Sequence, residues 1–209
     1  MSNYTLHGHF MSGPTYKVAL LLQLCAEPFA FRLLDLRGGE HKKPDYPALN
    51  HFGQVPCLED GTESFTQSAS ILEYLAEKHG KFNGKSAQER AHIREWMFWD
   101  FDKLAPGIYR SRGYALGIRK GEPAVIEAYK TDGEAGLKVL EDWLGKHQWL
   151  VGKGATIADI DVYGVVHLAP DGGTFDLAKY PNVSAWMKRV ETLPGYASRE
   201  AAIPKETRP

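Results

Sequence analysis

Between Tyr4 and Leu36 the chain changes its hydrophobic period twice, and that change constrains the fold more than any other feature. "YTLHGH" (Tyr4–His9) reads as a strand. In "GPTYKVALLLQLCAEP", Val18, Leu21, Leu22 and Cys25 fall at i, i+3, i+4 and i+7, one face of a helix. Pro14 stands near its first turn and Pro28 beyond its end, where proline is tolerated. "FAFRLLDL" (Phe29–Leu36) is strand-like again. Strand, helix, strand is a βαβ unit, and its strands pair in parallel.

The mixed pattern continues to about Gly80. "KPDYPALN" (Lys43–Asn50) is a short helical piece interrupted by proline. Val55–Leu58, a turn at Asp60-Gly61 and Ser64–Thr66 carry a hairpin signal. Ile71, Leu72 and Leu75 mark a third helix ending near Gly80. "HGKFNGKS" (His79–Ser86) then reads as a linker. Beyond it the pattern is almost wholly helical. "AQERAHIREWMFWDFDKL" is one long helix, broken by Ala-Pro-Gly at 105–107, and Glu122–Gly145 is another. "TIADIDVYGVVHLAP" and "VSAWMKRVETLPG" are two more. The expected architecture is an α/β domain over 1–80, a linker over 81–86 and an all-helical domain over 87–209.

Composition narrows the partners. With 209 residues the chain is long enough to bury a core. A 43% hydrophobic share and a net charge of −1 are those of a soluble globular protein, and no basic excess points to nucleic acid. The longest apolar run, Val18–Leu22, is too short for a membrane span, and "MSNYTLHGHF" lacks the features of a secretory leader. Cys25 and Cys57 form no C-x-x-C pair and are expected as reduced thiols in the cytoplasm. The eight histidines show no zinc spacing, so no metal is expected.

Two short motifs suggest a ligand edge. Pro56 cannot donate to a sheet ladder and belongs at a strand start, which frees the Val55 backbone to pair with something other than a strand. A cis Val55–Pro56 bond would fit such a turn, although most X-Pro bonds are trans. Gln67-Ser68 opens a helix, where unpaired N–H groups and the positive end of the macrodipole favour a carboxylate. The simpler role for Thr66 or Ser68 is a helix N-cap.

The βαβ half, "QVP", the hairpin, "TQSASILEYLA", the linker and the helical half together resemble the cytosolic glutathione transferase family over nearly the whole chain. The resemblance implies a thioredoxin-like α/β first domain and an all-α second domain. It implies a cis Pro56, with the Val55 backbone bonding the cysteinyl part of glutathione as an added strand would. Gln67 and Ser68 would grip the γ-glutamyl group. Within "EHKKPDYPALNHFGQVP", Lys43 and Gln54 best match the groups that meet the glycyl carboxylate, with His41 and Lys42 as substitutes; an exposed basic loop is the structural alternative. "TIADIDVYG" resembles the family's helix start, with Thr156 and Asp159 as a capping box. A homodimer is also implied, in which Asp100 or Asp102 reaches the γ-glutamyl amine; a helical carboxylate is otherwise simply solvated.

Glutathione must ionise to react, and a free thiol has a pKa of about 8.5. Lowering it by two units takes roughly 2.7 kcal/mol of thiolate stabilisation. A hydroxyl donor at a helix N-terminus is a suitable source, and "FMSGPTYKV" offers one. Ser12 resembles the catalytic serine of the family's serine-type classes, the theta- or nu-like bacterial kind; its structural alternative is an N-cap. Thr15 is the rival donor. The Tyr of the tyrosine-type classes would fall near Gly8, and no Cys lies in this loop to suggest the cysteine-type classes. Phe10, Met11, Trp96, Trp99, Tyr109 and Tyr114 are candidates for the electrophile site, although the aromatics of "REWMFWDF" fit core packing. Arg110, Arg112 and Arg119 beside Tyr109 and Tyr114 suit an anionic or aromatic substrate or a second glutathione, or equally a solvated face.

The expected activity is conjugation of glutathione to small hydrophobic electrophiles, a detoxification reaction. The alternatives are a glutathione-dependent disulfide reductase or peroxidase that uses no protein thiol, and a non-catalytic binding module of the same fold. Ser12, Pro56, Gln67 and Ser68 together speak against the module, whereas fold alone would not.

Overall fold

The structure, a computed structural model, describes residues 4–207. Residues 1–3 of the stretch read for a leader, and the last two residues of the second domain, lie outside it. The chain forms two compact units. One runs to Lys81 and includes the segment from Leu193 onward; the other is Phe82–Thr192.

The first unit holds a four-stranded sheet of order β2-β1-β3-β4: β1 Tyr4–Gly8, β2 Phe29–Leu33, β3 Cys57–Asp60 and β4 Glu63–Thr66. β1 and β2 are parallel; β3 is antiparallel to both β1 and β4. Helix α1 (Gly13–Cys25) is the crossover, α2 (Asp45–Leu49) precedes β3, and α3 (Ser68–His79) follows β4. Alternation sorts the two faces. Tyr4 meets His79 and Lys78 of α3, so Tyr4 and Leu6 face the α1–α3 layer, where Val18, Leu21, Leu22, Ile71, Leu72 and Leu75 are buried. His7, of opposite parity, faces Tyr46 of α2.

Helix α1 starts at Ser12, whose Oγ accepts the Thr15 N–H at 3.2 Å, and ends at Ala26, the left-handed residue that closes it. The segment from Leu193 onward packs with this unit: Tyr16 donates its hydroxyl proton to the Ala197 carbonyl at 2.8 Å, and the short helix α9 (Arg199–Ala202) lies on α1.

The second unit is helical: α4 Ala87–Trp99, α5 Ala105–Ala115, α6 Pro123–Leu144, α7 Ile157–Val166 and α8 Pro181–Glu191. The break expected at 105–107 does not occur. A π turn, Asp100–Leu104, joins α4 to α5 without leaving the helical path. Pro106 lies in the first turn of α5, where the widened π turn accommodates its missing N–H. Gly107 is needed for packing: a Cβ there would stand 2.4 Å from the backbone nitrogen of Gly133 on α6. The expected strand over Phe29–Leu36 likewise stops at Leu33, which pairs with Gly8, the last residue of β1; the Gly8 carbonyl still accepts Leu34 N–H at 2.9 Å, and beyond it β2 has no partner strand.

Helix α7 opens on the capping box of Thr156 and Asp159. Asp159 is fully buried, and its carboxylate accepts from Leu150 N–H (3.0 Å), Thr156 N–H (2.9 Å) and Trp186 Nε1–H (2.9 Å). Burial pushes its pKa up, and these donors work against that rise. Among the described residues no helix is long and apolar enough to cross a membrane. Asp159→Ala would orphan three buried donors at about 1–3 kcal/mol each. Chemical denaturation of that variant is expected to show a loss of at least about 3 kcal/mol, with a smaller loss for Asp159→Asn; an unchanged midpoint for the alanine variant would contradict this account.

Candidate active site

Strand register gathers the candidate residues of the first unit. The β1–β3 ladder ends at His7↔Cys57 and the β3–β4 ladder at Cys57↔Thr66. The loop after β1, the Gly53–Pro56 stretch before β3 and Gln67 after β4 therefore leave the sheet at one end. Neighbouring strands are about 4.8 Å apart, so the three segments span roughly 10 Å across that edge. Helices α1 and α3 both begin there, at Gly13 and Ser68. Their N-terminal N–H groups make the edge a favourable place for negative charge.

In the first loop Ser12 is half-buried and Thr15 is not exposed at all. Thr15 packs onto Gly8: a Cβ at Gly8 would meet Thr15 Cγ2 at 2.3 Å. The Thr15 hydroxyl oxygen accepts the His9 N–H at 3.4 Å. Phe10 and Met11 are half-buried in the same turn. The Ser12 oxygen accepts from Thr15 N–H, which leaves its own O–H free to donate.

The second segment is held by two residues outside the motifs, Tyr46 and Asn50. The Val55–Pro56 peptide is cis. Upstream of it, the Gln54 carbonyl accepts the Tyr46 hydroxyl at 2.7 Å and Asn50 Nδ2–H at 2.6 Å. Tyr46 and Asn50 are both buried, and burial raises the Tyr46 pKa. Their i, i+4 spacing on the turn of α2 was the available signal. Val55 makes no backbone–backbone hydrogen bond among the described residues.

Gln67 takes φ 64° and ψ 115°, sparsely populated for any residue other than glycine, and such a conformation costs about 1–3 kcal/mol. Its carbonyl accepts Ile71 N–H, and its Nε2–H donates to Gln54 Oε1 at 3.2 Å, linking the second and third segments. Ser68 is half-buried at the first position of α3. Lys42 and Lys43 are exposed, and His41 is half-buried with its carbonyl beside Gly53.

The other candidates lie in the second unit. Tyr109, Arg110 and Tyr114 are half-buried on α5. Arg112 is buried in an ion pair, its Nε donating to Asp171 Oδ2 at 2.8 Å, so its guanidinium serves this unit's packing. Arg119 folds over Gly113. Asp100 is buried in the π turn, whereas Asp102 is exposed beside Lys103 at 3.0 Å. Trp96 sits edge-to-face with Trp99 and Trp143, and Trp96 and Trp99 are half-buried; Phe98 and Phe101 are exposed, so the core packing expected of this stretch's aromatics does not hold for them. Cys25 and Cys57 are free and buried, and burial pushes each thiol's pKa up to about 11. Among the described residues no group of three or more His, Cys, Asp or Glu is placed to hold a metal ion.

The chain is similar to known proteins. Residues 13–78 match the family described as glutathione S-transferase, N-terminal domain, and residues 110–194 match glutathione S-transferase, C-terminal domain. A similar protein is the disulfide-bond oxidoreductase YfcG of Escherichia coli (strain K12), 30% identical over 186 residues, 86% of each chain. Among solved structures, a glutathione S-transferase from Pseudomonas fluorescens is 32% identical with a TM-score of 0.89, over 95% of this chain and 100% of that one. Glutathione transferase URE2P8 from Phanerochaete chrysosporium, solved with oxidized glutathione, is 25% identical with a TM-score of 0.83, over 93% and 92%. The chain belongs to the glutathione S-transferase family, with the thioredoxin-like and all-α architecture of that family.

The two-donor hold on Gln54 is open to test. Tyr46→Phe removes one donor and keeps the ring, at an expected cost of about 1 kcal/mol; Asn50→Ala should cost more, about 2 kcal/mol. Amide shifts in Tyr46→Phe should change most at residues 54–56. Shifts centred elsewhere would show that the clamp does not hold this loop.

Proposed function

We propose that the protein binds glutathione along the edge built by Val55, Gln67 and Ser68, and that the Ser12 hydroxyl stabilises its thiolate for attack on a small hydrophobic electrophile. The observation that carries this proposal is convergence. Two helix N-termini, a half-buried hydroxyl with a free proton, and an unpaired backbone residue meet at one end of one sheet. Thr15 is the weaker candidate, since it is fully buried and its oxygen already serves His9.

In this scheme the Val55 backbone pairs with the cysteinyl residue, and the α3 start with Gln67 and Ser68 takes the γ-glutamyl carboxylate. Lys43 and Gln54 face the glycyl end. Ser12 donates its O–H to the sulfur, and the α1 N-terminus adds a favourable field. The thiolate then attacks the electrophilic carbon and the leaving group departs with the bonding pair. Phe10 and Met11, half-buried in the same turn as Ser12, are the candidates on this unit to contact the electrophile. A cytoplasmic homodimer completes the proposal; exposed Phe98 and Phe101 supply apolar surface for self-association, and reduced cysteines suit that compartment.

One finding favours a second reaction on the same site. The relative YfcG is named as a disulfide-bond oxidoreductase. Both protein thiols here are buried and hard to ionise, so disulfide reduction would run through glutathione alone. A bound thiolate would attack a substrate disulfide, and a second glutathione would resolve the mixed disulfide. Two glutathiones are thereby oxidised to one disulfide while the substrate gains two thiols.

Ser12→Ala tests the shared step. A hydrogen bond to a charged group is worth about 1.5–3 kcal/mol, so kcat/KM at neutral pH should fall roughly 10- to 100-fold. Glutathione affinity by calorimetry should change less than about threefold, because the docking edge is intact. Chlorodinitrobenzene and hydroxyethyl disulfide as paired substrates identify which reaction is supported. Undiminished turnover of both in the variant would rule out Ser12 as the donor, and no turnover of either by the wild type would favour the binding module.

A further inference from the structure

We propose that His9 is a positioning residue for this site: its imidazole Nδ1 holds the Met11 N–H and thereby shapes the turn that presents Ser12. The inference rests on the proposed role of Ser12.

His9 is the last residue before the turn, and it is tied to four of the residues that follow. Its Nδ1 accepts Met11 N–H at 3.2 Å. Its ring stacks on Phe10, with centroids 4.6 Å apart and planes 25° from parallel. Its carbonyl accepts Ser12 N–H at 2.9 Å, and its own N–H donates to Thr15 Oγ1 at 3.4 Å. The last two bonds use the backbone and need only a residue at position 9. The first two need this side chain.

An Nδ1 acceptor exists only in the neutral imidazole with its proton on Nε2. Protonation would place an N–H at Nδ1, facing the Met11 N–H, and turn attraction into donor–donor repulsion. The charged groups that act on His9 are Asp35 and Arg37, beyond β2, and their effects oppose each other. Burial is the largest influence and lowers the His9 pKa from its usual value near about 6.5. The sign follows: the acceptor is present at neutral pH and is lost as pH falls through the lowered value. Acid should therefore loosen the Ser12 turn in addition to protonating the thiol.

Side-chain geometry supplies the test. The Asn amide oxygen falls near the position of Nδ1, whereas Gln reaches toward that of Nε2. His9→Asn should keep kcat/KM within about threefold at neutral pH, while His9→Gln and His9→Ala lose roughly tenfold. The acid limb of log kcat/KM against pH should steepen beyond a one-proton slope across the His9 midpoint in the wild type, by roughly a tenfold extra fall, and keep a one-proton slope in His9→Asn. In the wild type, NMR should show the Nε2–H tautomer, and the Met11 amide should shift with the midpoint of the His9 ring. Equal activities for the Asn and Gln variants, a slope unchanged by His9→Asn, or a Met11 amide indifferent to His9 would overturn the proposal. If Ser12→Ala keeps full activity, both the site assignment and this inference fail. If Ser12→Ala loses activity while the His9 variants behave alike, only this inference fails.

Discussion

The candidate site depends on one backbone carbonyl, that of Gln54. Pro56 has no N–H, so the ladder with β1 cannot extend past Cys57, and the chain entering β3 needs other partners. Tyr46 and Asn50 supply them from inside the α2 layer, where the donors are shielded from water. Fixing that carbonyl fixes the loop that carries Val55, and it brings the Gln54 side chain to Gln67. The strained backbone of Gln67 then stands at the mouth of α3, tied back to the same loop. A ligand at this edge would meet a surface already in shape, and preorganisation limits what binding must spend on ordering.

The other side of the edge is built on different physics. There a close contact, Thr15 against the bare Cα of Gly8, sets how near α1 comes to β1. That contact buries one hydroxyl and leaves its neighbour, Ser12, partly open. The two hydroxyls of the loop thus have different exposure for a steric reason. The second unit relies on buried polar hubs, with Asp159 joining three chain segments and Arg112 pinned to Asp171. Both are high-stakes interactions, because removing one partner leaves the other unsatisfied in low dielectric.

Signals that act over a few residues were legible in the sequence. The βαβ unit, the hairpin at Asp60-Gly61 and the Thr156–Asp159 box all rest on spacings of at most a few residues. The positions of Gly8, Pro56 and Gln67 at a common edge follow from the strand order, of which the pattern shows the β1–β2 pair and the β3–β4 hairpin but not the β1–β3 pairing that joins them. What stayed hidden depends on contacts between distant residues. Asp171 is 59 positions from Arg112, and Ala197 is 181 from Tyr16, so no local pattern could pair them. The π turn was missed because Ala-Pro-Gly is a breaker signal only in a regular α-helix. One extra residue in the preceding turn removes the conflict, and the sequence does not announce it.

The proposed function requires this edge to stabilise a glutathione thiolate. Its most direct test is the ultraviolet thiolate absorbance of glutathione bound to the wild-type protein, titrated across pH. The account predicts an apparent thiol pKa about 1–2 units below the free value of about 8.5. A bound thiol that titrates at the free value would contradict it.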